Sequence, residues 1–284
     1  MSQSYVQGYS SSTVSNHQTR TAQSDAAFLL PHIKPTDKIL DVGCGPGSIT
    51  VGFAQYASQG TTIGVDISDA VLKKAKALAA DANVPGEGPG SVHFDQGDVL
   101  LGLSYPDNHF DIVYASQVFG HLLPSPELPL RALAEIRRVL KPGGIVATRD
   151  AADQHFYPRH LNLDRLWVRN LGRAVRKGAP EDPDGPDAPG AGMPAIFRAA
   201  GFDVDGGKVH VGAGTTVYAG TTARKWIASR GVSQLQQGDA FRQSWLDAGI
   251  TEEEIGATVA AVQKWAETED AWFASLQCEI LAWK

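Results

Sequence analysis

The chain has little cysteine, little methionine and no surplus of positive charge. Its two cysteines, Cys44 and Cys278, cannot form a disulfide framework, and their scarcity fits a reducing compartment. Across 284 residues, 25 Lys and Arg stand against 31 Asp and Glu, a formal charge of −6. That balance repels phosphate backbones and anionic lipid surfaces, so a general nucleic-acid binder is not expected. No apolar run approaches the roughly 18 residues of a spanning helix. The opening stretch MSQSYVQGYSSSTVSNHQTRTAQSD has neither the apolar core of a secretory signal nor the arginines of a transit peptide. A cytoplasmic protein without membrane insertion is expected. No repeat of solenoid or propeller length is present, and HExxH motifs and Cys/His clusters are absent, so no metal site is expected.

What is present is an alternation that begins at Asp37: KILDVG, GSITVGFAQYA, TTIGVD, SDAVLKKAKALAADA, SVHFDQ, FDIVYAS, PLRALAEIRRVL and GIVATRD. Short runs rich in Val and Ile alternate with longer segments of helical period, such as Leu130, Leu133, Ile136 and Leu140. This predicts an α/β fold, a doubly wound sheet of parallel strands joined by crossover helices. Lys141-Pro142-Gly143-Gly144 reads as a helix stop and turn ahead of the fifth strand. Residues 1–25 are polar and Ser-rich and read as an arm or lid, abutting a helix over AQSDAAFLL that Pro31 stops; the domain proper is taken as 26–284. After Asp153 the rhythm breaks into an insertion over about 154–195: His155, Phe156 and Tyr157, an amphipathic LNLDRLWVRNLGRAVRK, then a Pro, Gly and Asp-rich loop. A helical insertion over about 221–268 follows, its last helix opened by the capping box Thr251 to Glu254. The chain closes on SLQCEILAW, where Leu276, Cys278, Ile280 and Ala282 share one face of a strand.

The stretch LDVGCGPGSIT sets Gly43, Gly45 and Gly47 at alternate positions between a strand and a helix start. A phosphate-gripping P-loop needs a lysine there, and none lies between Lys38 and Lys73. A dinucleotide fingerprint needs glycine where Ser48 stands. What remains is DxGxGxG, with Asp41 ending the strand and bare backbone able to meet a ligand's sugar and amino-acid parts, while free amides opening the next helix favour a carboxylate. Asp66 ends the next strand, 19 residues after Gly47, where a carboxylate can accept two ribose hydroxyls. Asp98, after the third strand, can accept from an adenine amino group. Each has a plainer reading: Asp66 caps the helix opened at Ser68, and Asp98 shapes a Gly-Asp turn.

Taken in order, ILDVGCGPGSIT, GVDIS, GDV, FDIVYASQVFGHL and EIRRVLKPGG resemble the class I S-adenosylmethionine-dependent methyltransferases, above all the UbiE-like branch of ubiquinone and menaquinone biosynthesis C-methyltransferases. The similarity covers Ala26 to Asp153 and, loosely, the closing strand. The resemblance implies a seven-stranded sheet with an antiparallel last strand and S-adenosylmethionine as cofactor. It implies that Asp41, Gly43, Cys44, Gly45 and Gly47 cradle the methionine moiety, Asp66 with Ile67 the ribose, and Asp98 with Val99 the adenine. It puts Ser116 and Gln117 beside the methionine part.

Methyl transfer from a sulfonium leaves a neutral thioether, so alignment and exclusion of water are the main tasks, and a base is needed only for an acceptor that carries a proton. The candidates are His121 after the fourth strand, His17 and Arg20 in the arm, and His155 with Arg149 and Asp150 just past the fifth strand. Each has a bland counterpart: a packed helix-start histidine, solvated lid groups, an Arg-Asp surface pair. Cys44 fits a packed loop residue better than a nucleophile. Arg165, Arg169 and Arg173 recur every four residues, with Arg176 next, and form either a wet basic side of a lid helix or a clamp for an anionic acceptor. Trp167, Phe156, Tyr157, Phe197 and Trp226 are candidates to shape an acceptor pocket or to belong to the core. The expected partner is a small organic acceptor, aromatic or quinone-like, and no nucleic acid. A binder or non-methylating enzyme that uses the same donor, and a protein or nucleic-acid methyltransferase, are the alternative readings.

Overall fold

The computed structural model describes residues 20–122, 125–175 and 189–284; His17 and Arg176 lie outside these. Five strands form where the alternation predicts them: β1 (Lys38–Val42), β2 (Thr61–Asp66), β3 (Ser91–Gln96), β4 (Phe110–Ser116) and β5 (Leu140–Tyr157). With β6 (Val209–Tyr218) and β7 (Trp272–Trp283) they make one seven-stranded sheet of order β3-β2-β1-β4-β5-β7-β6. The first five pair in parallel, Leu40 beside Ile63 of β2 and Val113 of β4, and Ser116 beside Arg149 of β5. β7 is antiparallel: the Lys284 amide just past its end donates to the Gly144 carbonyl near the start of β5, and the Trp283 amide donates to Lys208 just ahead of β6. The order reverses between β1 and β4, so their carboxyl ends diverge into the loops that form a ligand crevice in sheets of this kind.

In chain order the helices are α1 (Ala22–Asp25), α2 (Ser48–Phe53), α3 (Asp69–Asp81), α4 (Glu127–Val139), α5 (Asn170–Val175), α6 (Met193–Ala199), α7 (Gly220–Gln234), α8 (Ala240–Asp247) and α9 (Glu252–Glu267). Their starts follow capping chemistry. The Ser68 hydroxyl accepts the Val71 amide at the head of α3, and Thr251 and Glu254 close the expected capping box on α9. α4 buries Pro129, Ala132, Leu133, Ile136 and Val139 on one stripe.

The described chain divides into two compact units. One takes the chain through Asp150, with Met193–Gly212 and Cys278–Lys284; its core sets Ala22, Leu29, Ile39 and Phe53 against Tyr114 and Leu281. The other takes Ala151–Gly192 and Ala213–Gln277, where Phe156, Trp265 and Phe273 form one cluster and Phe241, Trp245 and Ile255 another, with Trp167 packed against both.

Four local expectations are corrected. The helix expected over AQSDAAFLL stops after four residues, because the Asp25 carboxylate turns back to the Thr21 amide and the Ser24 hydroxyl while Ala26 leaves helical geometry. Lys141 to Gly144 is a bulge inside β5, four residues opposite Asp111 alone, with Leu140 already paired to Phe110. β5 runs through Asp153 to Tyr157, since Phe156 is apolar and buried and the ladder continues past the polar residues. The segment carrying the four-residue arginine spacing is a π-helical turn, Asp164–Arg169, continued by α5, rather than one α-helix. Arg165 and Arg169 are exposed, while Arg173 turns to Glu254 (3.6 Å) and the Gly249 carbonyl (3.4 Å).

Arg149 and Asp150 are also not a surface pair beyond the strand. Both lie within β5 and are buried. Arg149 donates to Asp25 from Nη1 and to Glu279 of β7 from Nε, each at 3.1 Å, and the Tyr114 hydroxyl donates to the Asp25 carbonyl at 2.7 Å. One guanidinium thus ties the segment before β1 to both strands. Arg149→Met would leave two enclosed carboxylates without their cation and is expected to lower stability by about 3–5 kcal/mol, read as a shift in the urea unfolding midpoint.

Candidate functional site

The loop after β1 is held from two sides. The amides of Gly43 and Cys44 donate to the Val65 carbonyl at the end of β2 (2.8 and 3.0 Å), and the Gly45 amide donates to Asp66 Oδ2 (3.0 Å). Gly43 and Gly47 are glycines because nothing else fits. At Gly43 (φ +69°) a Cβ would stand 2.6 Å from Val118 Cγ2, and at Gly47 (φ +83°) it would stand 2.8 Å from both the Ala75 Cβ and the Phe94 ring. The close neighbours that excluded side chains at these two positions are therefore the chain's own. Cys44 is packed beneath the loop with Leu72, Ala75, Val92 and Phe94, and burial holds its thiol well above the usual range, so it is a protonated packing residue.

Three carboxyls gather at the carboxyl ends of the strands. Asp41 is buried and accepts the Thr50 hydroxyl of α2 at 2.6 Å; desolvation pushes its pKa up to about 7. Asp66 accepts Gly45 at Oδ2 and the Ser68 amide at Oδ1 (2.9 Å), and burial raises its pKa in spite of these bonds. Both its expected roles are compatible, since a carboxylate has about four lone-pair sites and the backbone amides take only part of them. Asp98 accepts the Leu100 amide at Oδ1 (2.8 Å), which is the turn-shaping role. Beside these acids, Ile67 and Leu101 are exposed apolar side chains in the turns after β2 and β3, and Val99 is buried between Asp98 and Leu100. A flat base with a ribose meets suitable chemistry here: apolar surface, carboxylate acceptors and a bare loop.

The second half of the site follows β4. Ser116 ends the strand, and Gln117 takes the left-handed conformation (φ +59°) while its amide donates to the Arg149 carbonyl at 2.8 Å. The 3-10 turn Phe119–His121 comes next. Its leading residue Val118 offers no side-chain cap; Asp150 of β5 does so instead, Oδ1 accepting the amides of Phe119 (3.1 Å) and Gly120 (3.4 Å). Desolvation, with Arg20 contributing, pushes His121 down to about 4, so its ring is neutral and a weak base at pH 7. The field of Arg20 reaches both His121 and Asp150, which places this residue of the expected arm at the same end of the sheet.

His155 belongs to the other unit. Its ring nitrogens meet Asp153 (2.8 Å) and Asp164 (3.1 Å), with Arg159 on the same carboxylate, an arrangement that braces the turn after β5 and raises the imidazole's pKa through those bonds against its burial. Phe156 and Phe197 are core residues of different units, Phe197 packing on Phe202, while Trp226 stacks on Tyr218 and Tyr157 on Trp272. Thr50, Val118 and the capping role of Asp150 were not visible in the sequence, because each acts across an interval that only the sheet closes. Among the described residues no group of three or more His, Cys, Asp or Glu could hold a metal ion, and no helix is long and apolar enough to cross a membrane.

The methyltransferase-domain family profile matches residues 40–148. The chain is 62% identical over 280 residues to the "Probable methyltransferase ltbC" of Aspergillus luteorubrus, covering 99% of this chain and 97% of that one. Identity to the demethylmenaquinone methyltransferase of Symbiobacterium thermophilum is 39% over 118 residues, 40% of this chain and 42% of the relative. The crystal structure of the YcgJ protein from Bacillus subtilis shares the fold with a TM-score of 0.55 at 20% identity, covering 92% of this chain and 97% of that one.

The buried Asp41 carboxyl gives this half of the site a pH signature. Its pKa lies above the ordinary 3.8 in the folded protein, so the fold binds this proton more tightly than the unfolded chain. The stability associated with it is complete below pH 4 and is lost as pH rises towards about 7. Asp41→Asn keeps an acceptor for Thr50 and removes the titration. It is expected to raise the thermal midpoint at pH 8 and to leave it nearly unchanged at pH 4, measured by calorimetric scans at both values.

Proposed function

The chain belongs to the S-adenosylmethionine-dependent methyltransferases, and on that footing we propose that it methylates a small organic acceptor, aromatic or quinone-like, by metal-independent in-line displacement. The donor supplies an activated methyl group on a sulfonium. The protein's own task is then to hold donor and acceptor in line and keep water out, which is worth roughly 7 to 11 kcal/mol of barrier when the geometry is right.

The observation that carries the donor assignment is the pairing of Asp66 with Gly45. The strand-end carboxylate and the bare loop are joined through the Gly45 amide on one oxygen, with the Ser68 amide on the other. In this reading Asp66, with Ile67 beside it, accepts the ribose hydroxyls, Asp98 and Val99 meet the adenine, and Asp41, Cys44 and the three glycines shape the floor under the methionine part. Ser116, Gln117 and Arg20 meet its amino and carboxylate ends. Two features support a small acceptor: the charge of −6 and the 39% identity over 118 residues to a demethylmenaquinone methyltransferase.

Two measurements test this. Calorimetry with S-adenosylhomocysteine, the demethylated donor, should show binding that Asp66→Ala weakens by about 10- to 100-fold, the range for lost hydrogen bonds to a charged group. Incubating cell extract with methyl-labelled donor and identifying labelled products by mass should return a small molecule; label found only in protein or nucleic acid would sink the acceptor class.

A further inference from the structure

We propose that Asp150 receives the acceptor's proton during methyl transfer, its Oδ1 fixed on the turn after β4 and its Oδ2 left for the acceptor. The inference rests on the methyltransferase reading and narrows it to acceptors whose reacting atom carries a proton, such as a phenol, an enol or an activated C–H, as against a thiolate or tertiary amine that needs no base.

The geometry is specific. The Asp150 side chain is only 1% exposed. Its Oδ1 accepts two successive amides, and its Oδ2 is buried without any hydrogen-bond partner. A carboxylate oxygen left unpaired away from water costs about 1–3 kcal/mol or more, so a capping role alone does not explain it. An asparagine would cap the turn equally well and carry no charge. Every charged or titratable neighbour leaves the oxygen unpaired. Arg149, beside it in β5, is committed to Asp25 and Glu279 on the opposite face of the strand; Arg20 reaches it only through its field. Cys278 of β7 keeps its proton, pushed up to about 11 by burial and then by Asp150 and Glu279. The turn presents amides, and His121 at its end is neutral.

Burial places the Asp150 pKa at about 7, the range in which a carboxylate both holds its charge and takes a proton with useful driving force. His121, with a ring pKa near 4, lacks that driving force. The step balances without any further reagent. The acceptor's proton passes to Oδ2, its freed electron pair bonds the methyl carbon, and the carbon–sulfur pair stays on sulfur as a neutral thioether. The proton leaves to water as the product departs.

The test combines a titration and a rate. Infrared difference spectra of the protein saturated with S-adenosylhomocysteine should show a protonated carboxyl band that titrates near pH 7 and is missing in Asp150→Asn, whereas the band of Asp41 persists. With the acceptor recovered by the labelled-donor assay, the wild-type rate should fall as pH drops below about 7. Asp150→Asn should lose that limb and at least about 100-fold in kcat, with S-adenosylhomocysteine affinity within about 3-fold; His121→Gln should keep the limb. A variant with wild-type limb and rate overturns the assignment. If the variant does not fold, a wild-type rate flat from pH 5 to 8 overturns it equally. Donor binding without methylation of any acceptor overturns the methyltransferase reading and this inference together, whereas turnover without the limb removes only this inference.

Discussion

The Gly45 amide, received by Asp66 from across the end of β2, is the contact on which the nucleotide half of the site depends. Together with the Gly43 and Cys44 amides on Val65, it forces the loop after β1 into left-handed turns that only glycine adopts without strain. The two missing side chains are replaced by Val118, Ala75 and Phe94, so the loop is packed from below by α3, β3 and the turn after β4.

The same sheet explains why its acids behave unusually. A carboxylate buried at the end of a strand either finds donors or holds its proton. Asp66 finds two amides, Asp41 finds one hydroxyl, and Asp150 finds amides on one oxygen only. Arg149, one residue before Asp150 in β5, points to the other face and is neutralised by Asp25 and Glu279. Alternation along one strand thus separates a structural ion cluster from a chemically available acid.

Much of the fold was legible in residue pattern. The strands from β1 to β4 were marked by Val and Ile runs bounded by Gly, Pro and Asp, and the glycine loop by a spacing that excluded its two nearest competitors. Asp66 and Asp98 were visible as strand-end acids, though not how their oxygens are shared between the backbone and a ligand. The length of β5 was obscured, because Asp150, Asp153 and His155 are polar and their partners lie far along the chain or across a turn. The arginine spacing marked a helical segment with exposed Arg165 and Arg169, but not that its first turn is π-helical.

What the sequence determined by itself is local: periodicity, capping, and the places where side chains had to be absent. These follow from sterics and hydrogen bonding within a few residues, so they survive without knowledge of what packs against them. Tertiary structure decided the chemical state of the acids and histidines, because desolvation and long-range partners set their charge. Asp41 and Thr50 are 9 residues apart, Asp150 and Phe119 31, and Arg149 and Asp25 124, and no local rule links such pairs until the sheet brings them together.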